Sequence, residues 1–383
     1  MKYWQVIKDK KTMTHKERIE AVYRGETPDQ VPFMLDLSHW YYQKNRIAWD
    51  LSKSYDEPEY DLIDYHKKKD VGFYMPNLGS FFEVSYPDDV KPGVKKSEDD
   101  QAITWSLETP LGKIERTRIW EDVSYSWGIR DWGVKTEKQL KILAYALGGR
   151  DFKFLSEKYQ AWVDYIGDDG VCYVGAGYSG MGQLLSYWMG IEGTTFAAFD
   201  WPKTVMAVID RINDNNLKLI DALAGSSIKF VCMGDNFSSD VQPPAFFNQW
   251  SRKFYTEAIA RLHAAGKKVA VHVDGMLSGA ISMMREAGAD CIDAVTPQPM
   301  GDLSPRQCRD EAGPGLILSG GVSPDLWLPN VDVAVFKKAV LAWLELKKQS
   351  PRLIANAGDQ VPPGAVEERI EIMRDLVNQY GKY

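Results

Sequence analysis

From about residue 170 onward the sequence alternates short apolar runs with helical stretches, and no other feature restricts the fold so strongly. The runs are VCYVGAG (171–177), IKFVCMGDN (228–236), KKVAVHVDG (267–275), CIDAVTP (291–297), LILSGGVSP (316–324) and PRLIANAGD (351–359). Between and after them the spacing predicts helices from Pro202 to about Ala224, Pro244 to Ala265, Leu277 to Ala287, from about Ser304, near Val335 to Lys347, and Val366 to Tyr380. Strands separated by helices of ten or more residues imply parallel βα units. An earlier run, about Val31 to Leu37, reads as the first strand, which gives six or seven units; eight would close a barrel. An open doubly wound sheet usually carries a glycine-rich phosphate turn. GAGYSGMG (175–182) is the only candidate, and it lacks the acidic residue after a second strand, so it is a weak one.

The segment THKERIEAVYRGE has helical spacing, with Thr14 capping against Glu17 and Gly25 ending it. Residues 40 to 150 break the βα rhythm and are rich in aromatics and turn residues. There TWSLETPLGKIERTRIWED predicts an antiparallel hairpin turning at Pro110–Gly112. We read this region as an insertion early in one domain spanning 1–383. The formal charge, 46 − 53 = −7, comes without a basic stripe and argues against a nucleic-acid partner. The basic residues from Lys2 to Arg18 read as a solvated helix face. No apolar run is long enough to span a membrane, and the first residues hold no signal-peptide core. Cys172, Cys232, Cys291 and Cys308 form no CxxC pair and read as buried free thiols, so the expected location is cytoplasmic.

In KKVAVHVDG, Val269, Val271 and Val273 share one strand face, while Ala270, His272 and Asp274 share the other. A histidine and a carboxylate on one face just before Gly275 suit a site at a strand end. In a barrel the C-terminal strand ends carry the active site. Here those ends hold Asp36 and His39, Tyr178, Asp235 and Asn236, His272 and Asp274, Thr296, Ser319, and Asn356 and Asp359. Asp235 also suits a helix cap, and Asp359 a turn. His15, His66 and His263 sit on helical patterns and read as surface or cap residues. Trp40, Tyr41 and Tyr178 can line an apolar pocket or pack in the core.

Several stretches resemble the uroporphyrinogen decarboxylase superfamily: THKERIEAVYRGETPDQVPF, GDNFSS before a long helix, AAGKKVAVHVDG, EAGADCIDAVTPQPMGDLS, LILSGGVSP and VPPGAVEERIEIM. The likeness covers roughly 14–37 and 170–380. It implies a single (β/α)8 TIM barrel, and either a porphyrinogen decarboxylase or a corrinoid-dependent methyltransferase. The decarboxylases carry an RQAGRY-like stretch after the first strand, where this chain reads MLDLSHWYYQ with no arginine until Arg46. They also carry a GHG-like turn where this chain reads ANAGDQVPP. A substrate with many carboxylates needs cationic partners, so the resemblance favours the methyltransferase branch.

Methyltransferases of that branch that load coenzyme M carry His-x-Cys and a second cysteine, which hold zinc. Here the matching residues are His272, Asp274 and Asp359. His plus two Asp remains a candidate set for Zn²⁺ or another divalent ion, better suited to an oxygen-containing substrate than to a thiol. The resemblance thus implies an O-demethylase component. It would move a methyl group between a small donor, a methoxylated aromatic above all, and cobalamin on a separate corrinoid protein. Asp235, His272, Asp274 and Asp359 are the catalytic candidates; Asp36, His39, Trp40, Tyr41, Tyr178 and Asn236 are the substrate-binding ones. Family likeness also suggests a homodimer. The other readings are a decarboxylase and a non-catalytic barrel that binds a small ligand.

Overall fold

The computed structural model describes residues 12–53, 55–77 and 80–383, with only the backbone of Asn236. The basic run from Lys2 therefore lies largely outside the described residues. Six strands belong to the insertion. β1 (Phe82–Ser85) is followed by β2 (Lys91–Lys96), β3 (Ala102–Thr109), β4 (Gly112–Glu121) and β5 (Ser126–Asp131), which form an antiparallel sheet in that order. The hairpin turn falls where expected, with Thr109 opposite Gly112. β6 (Asp151–Phe154) returns to pair antiparallel with β1.

Six parallel strands follow in sequential order: β7 (Tyr173–Gly175), β8 (Phe230–Phe237), β9 (Lys268–Val273), β10 (Cys291–Val295), β11 (Ile317–Val322) and β12 (Leu353–Ala357). Parallel bridges close the ring. Phe33 bridges Ala355, Met34 bridges Gly72, and Phe73 bridges Gly170. The backbone bonds Ala355 N–H to Pro32 O, Leu35 N–H to Gly72 O and Val171 N–H to Phe73 O carry the same path. The extended segments 31–35 and 71–74 are therefore the first two of eight strands, and the fold is a (β/α)8 barrel. The second strand, VGFY, lies inside the region read from sequence as insertion.

The period-2 pattern sorts the strands as the sequence suggested. Val269, Val271 and Val273 pack outward into the layer between strands and helices. Ala270 points inward, with Met34, Tyr74, Tyr173, Cys232, Cys291, Ile317 and Ile354. The helix His15–Arg24, capped by Thr14 and Glu17 in a reciprocal box, presses Ile19, Val22 and Tyr23 onto that interior. It closes the N-terminal end of the barrel, and the C-terminal end is left for chemistry. The helix read over Pro244–Ala265 is two helices, Pro244–Trp250 and Arg252–Ala264, broken at Ser251, whose hydroxyl bonds Gln242 Oε1 at 2.7 Å.

The insertion builds two cores of its own. One gathers Leu107, Ile114, Leu140, Leu143, Leu184 and Trp188; the other gathers Tyr42, Trp49, Ile103, Tyr125 and Trp127. All four cysteines are free and buried. His66 corrects an expectation: it is 1 % exposed, sits edge-on to Phe73, and burial pushes it down to about 4. No helix among the described residues is long and apolar enough to cross a membrane.

Candidate active site

His272 is the second inward residue of β9 after Ala270, so the strand period carries its imidazole to the C-terminal mouth of the barrel. Parallel pairing sets it opposite Asp293 of β10. Nδ1 of His272 lies 3.2 Å from Asp293 Oδ2, and Nε2 lies 3.8 Å from Asp359 Oδ1. Burial alone would favour the neutral ring. The bond to Asp293 and the charges of Asp359, Asp293 and Asp274 outweigh it, and His272 is raised to about 9. It is therefore an imidazolium at neutral pH. Asp293 is 1 % exposed and also accepts from Ser319 Oγ at 3.4 Å, while Asn356 Nδ2 donates to that hydroxyl at 3.2 Å. The carboxylate that orients the ring is thus held by its own polar network.

Asp359 is raised to about 6, chiefly by burial and by the neighbouring carboxylates Asp274, Asp36 and Asp293, with His272 opposing. Asp274 is held by its own N–H on Phe237 O at 2.8 Å. Asp36 takes two bonds from Ser38, from N–H at 2.9 Å and Oγ at 2.6 Å, and burial raises it despite them. His39 stacks on Trp49 at 5.3 Å, and burial lowers it against the pull of Asp36. The phenol of Tyr74 lies within electrostatic reach of Asp293, Asp36 and Asp359, and bonds Asn356. The result is one imidazolium among carboxylates, open to solvent at His272 and Asp359, whose side chains are 20 % and 35 % exposed.

Other expected site residues sit elsewhere. Asp235 is 2 % exposed and bound internally: it accepts from Ser179 N–H at 2.8 Å and Ser179 Oγ at 2.5 Å, and from Tyr255. Its carboxylate thus covers the start of the short helix Gly180–Gly182, the place a phosphate would need in GAGYSGMG. A methyl at Gly182 would fall 2.1 Å from Asp235 Oδ1. Trp40 is 2 % exposed, donates Nε1–H to Ala365 O at 3.0 Å and packs on Tyr65, so it is core. Tyr41 packs on Tyr65 too and feels Asp61 and Asp64, away from the mouth. Tyr178 stands at the rim against Tyr187, ring centres 4.6 Å apart. Thr296 bonds Ala294 O at 3.2 Å, and the side chain of Asn236 lies outside the described residues.

The metal reading fares differently. Among the described residues no three His, Cys, Asp or Glu side chains are grouped to hold an ion. Of the expected set, His272 Nε2 and Asp359 Oδ1 lie 3.8 Å apart, and Asp274 is not grouped with them. A cavity of about 220 Å³ beside Lys16, Glu20 and Lys229 lies at the opposite end of the strands, away from this chemistry.

Asp293 and Tyr74 are the two site residues that sequence reasoning missed. Asp293 had a readable signal: a carboxylate flanked by Ile292 and Ala294 in an apolar strand requires a buried partner. Tyr74 had none, since its strand was not recognised.

The family model described as Uroporphyrinogen decarboxylase (URO-D) matches residues 172–380, more than half of the chain. A methyltransferase from Methanosarcina mazei superimposes with a TM-score of 0.62 at 12% identity, over 96% of this chain and 99% of that one. A D-psicose 3-epimerase solved in the presence of D-fructose covers 59% of this chain and 81% of its own at 12% identity, but its TM-score of 0.35 carries no argument. No curated protein matches the chain in sequence.

Proposed function

This chain belongs to the uroporphyrinogen decarboxylase family, and from that premise we propose a corrinoid-dependent methyltransferase that demethylates a methoxylated aromatic. The observation that carries the reading is the geometry of His272, whose Nδ1 lies 3.2 Å from Asp293 Oδ2 and whose Nε2 is turned to the mouth. At 3.8 Å, Asp359 is close enough to stabilise the charge and too far to lock the Nε2–H in a hydrogen bond. A substrate oxygen can enter between them.

A corrinoid, when docked at the mouth, would supply the nucleophile for the methyl group. The bond between methyl carbon and aryl oxygen breaks with both electrons left on oxygen, and the Nε2 proton of His272 moves to that oxygen. A phenol titrates near 10 and His272 near 9, so the imidazolium carries its proton at neutral pH and passes it to the phenolate slightly downhill. Asp293 keeps the ring in place as its charge changes, and solvent at the mouth restores the proton. Decarboxylation of a porphyrinogen has less support, because the carboxylates at the mouth would repel a polyanionic substrate.

The test follows cob(I)alamin by its visible spectrum under anaerobic conditions with methoxyarenes, methylamines and methanol. Protein-dependent formation of methylcobalamin is expected with methoxyarenes, and His272→Ala should slow it by about 10²- to 10⁴-fold. Unchanged turnover in that variant would refute the mechanism. Consumption of uroporphyrinogen, with no methyl transfer, would replace it by decarboxylation.

A further inference from the structure

One face of β4 carries Ile114, Arg116, Arg118 and Trp120, with Leu107, Trp105 and Ile103 of β3 directly opposite the first three. Ile114 and Leu107 pack into one core of the insertion, and Ile103 into the other. Two arginines therefore sit in the middle of an apolar sheet face. Arg116 is 8 % exposed, its guanidinium 4.5 Å from the ring centre of Trp105, 4.6 Å from Tyr187 and 5.3 Å from Trp188. Among the described residues neither arginine has an acidic partner. Nε and Nη1 of Arg116 and Nε of Arg118 are buried without a hydrogen-bond acceptor; Arg118 uses only Nη1, on Trp127 O at 3.1 Å. A buried cation with open donors is costly unless an anion completes it.

The place of this pair is informative. Tyr187 and Trp188 end the π-helical turn Gln183–Trp188, whose Ser186 bonds Asp235 O at 3.3 Å, at the end of β8. Tyr178, on the loop leaving β7, lies within electrostatic reach of both Arg118 and Asp235. On the other side of β8, a methyl at Gly234 would meet His272 Cβ at 3.0 Å. Arg118, beside the Tyr178 loop that follows β7, and His272 of β9 thus stand on either side of β8. A donor with its anionic and methoxy groups at opposite ends of one aromatic ring can present one to each.

We propose that Arg116 and Arg118 form an anion subsite for a carboxylate on the methyl donor, held by the guanidinium donors between aromatic rings, so that the donor's methoxy oxygen reaches His272. The assignment rests on the methyl-transfer reading for the role of the donor, and on the inserted sheet alone for the subsite. It makes the insertion the specificity element of the barrel.

Binding is measured by calorimetry without cobalamin, using 4-methoxybenzoate and its neutral counterpart 4-methoxybenzamide. The expected result is a preference for the benzoate on the order of 10- to 100-fold, lost in Arg116→Met and in the more accessible Arg118→Met. The thermal midpoint of Arg116→Met without ligand should hold or rise, because an uncompensated buried charge has gone. Equal binding of the two probes would overturn the subsite. So would a fall in that midpoint with the benzoate preference intact in both variants. Inorganic phosphate displacing the benzoate at lower concentration than benzoate itself requires would overturn the carboxylate assignment. Benzoate preference without methyl transfer would sink the proposed function and leave the subsite standing.

Discussion

Replacing Asp293 by Asn tests whether the site's proton is held where the geometry puts it. Asn keeps an oxygen that can accept from Nδ1–H, so the ring stays oriented while the charge is lost. In the native chain His272 lies near 9 rather than the ordinary 6.5, a preference of about 3 kcal/mol for the imidazolium. The hydrogen bond to Asp293 is the largest of the effects that raise it, and the charge of Asp293 adds to that of Asp359. A neutral acceptor favours the imidazolium far less than a carboxylate does, burial is then opposed chiefly by Asp359 and Asp274, and His272 should return to about its ordinary 6.5. At pH 7.5 the imidazolium then falls from nearly all molecules to about one in ten, with a loss of rate of about tenfold. Lowering the pH to 6 should restore most of that rate, whereas the native enzyme should lose rate only as the pH rises toward 9. Stability follows the same sign: the raised histidine contributes fully below about 6.5, and that contribution is lost as pH rises through about 9. The assay pairs a pH–rate profile with an NMR titration of the imidazole protons. The chain has 5 histidines, and the spectrum of His272→Ala assigns the relevant one. If His272 still titrated above 8 in Asp293→Asn, the electrostatic account would be wrong. A rate loss equal at pH 6 and 7.5 would leave Asp293 a positioning role only.

Three further changes probe the surroundings. Asp359→Asn should lower the titration point of His272 and raise the thermal midpoint at pH 7.5, because the carboxyl is raised to about 6 in the folded chain. The gain should vanish below about pH 4, and a loss of stability at pH 7.5 would contradict it. Ser179→Ala removes the cap of the helix at Gly180 and the hydroxyl that donates to Asp235, so chemical denaturation should show a loss of about 1–2 kcal/mol. No loss would mean that Asp235 is satisfied by the backbone N–H of residue 179 and Tyr255. Trp40→Phe should cost about 1–3 kcal/mol through its lost bond to Ala365 and the space it leaves, with KM for the donor unchanged. A rise in KM at native stability would return Trp40 to the pocket.

How much of this was legible in the sequence differs from strand to strand. KKVAVHVDG announces its faces because alternation survives where one side meets helices and the other the barrel interior. Val71 to Tyr74 does not, since four residues between the charged helix end at Lys69 and a proline carry no measurable period, and its partners at Met34 and Gly170 are remote in sequence. The aromatic wealth of residues 40–150 was ambiguous for a related reason. Composition cannot tell a pocket wall from a core, and Trp49 and Trp127 prove to be core: both are buried in one cluster, with the indole N–H of Trp49 on Tyr125 O and that of Trp127 on Trp49 O.

The site was legible where a residue type needs a partner of a given kind, and obscure where only the partner's location decides. His272 and Asp274 could be placed on one face from the strand period, but the third party, Asp293, is contributed by register between neighbouring strands. Asp235 shows the opposite case. Its position at a strand end is as favourable as that of Asp274, yet both its oxygens are taken up inside the fold, by Ser179 and Tyr255. A carboxylate at a barrel mouth becomes chemical only when the groups around it leave an oxygen open to a substrate. Asp359 meets that condition and Asp235 does not. The same criterion, applied to cations, separates Arg116 and Arg118 from the paired arginines of the surface, and it is the ground on which the inserted sheet is proposed as part of the donor's binding surface.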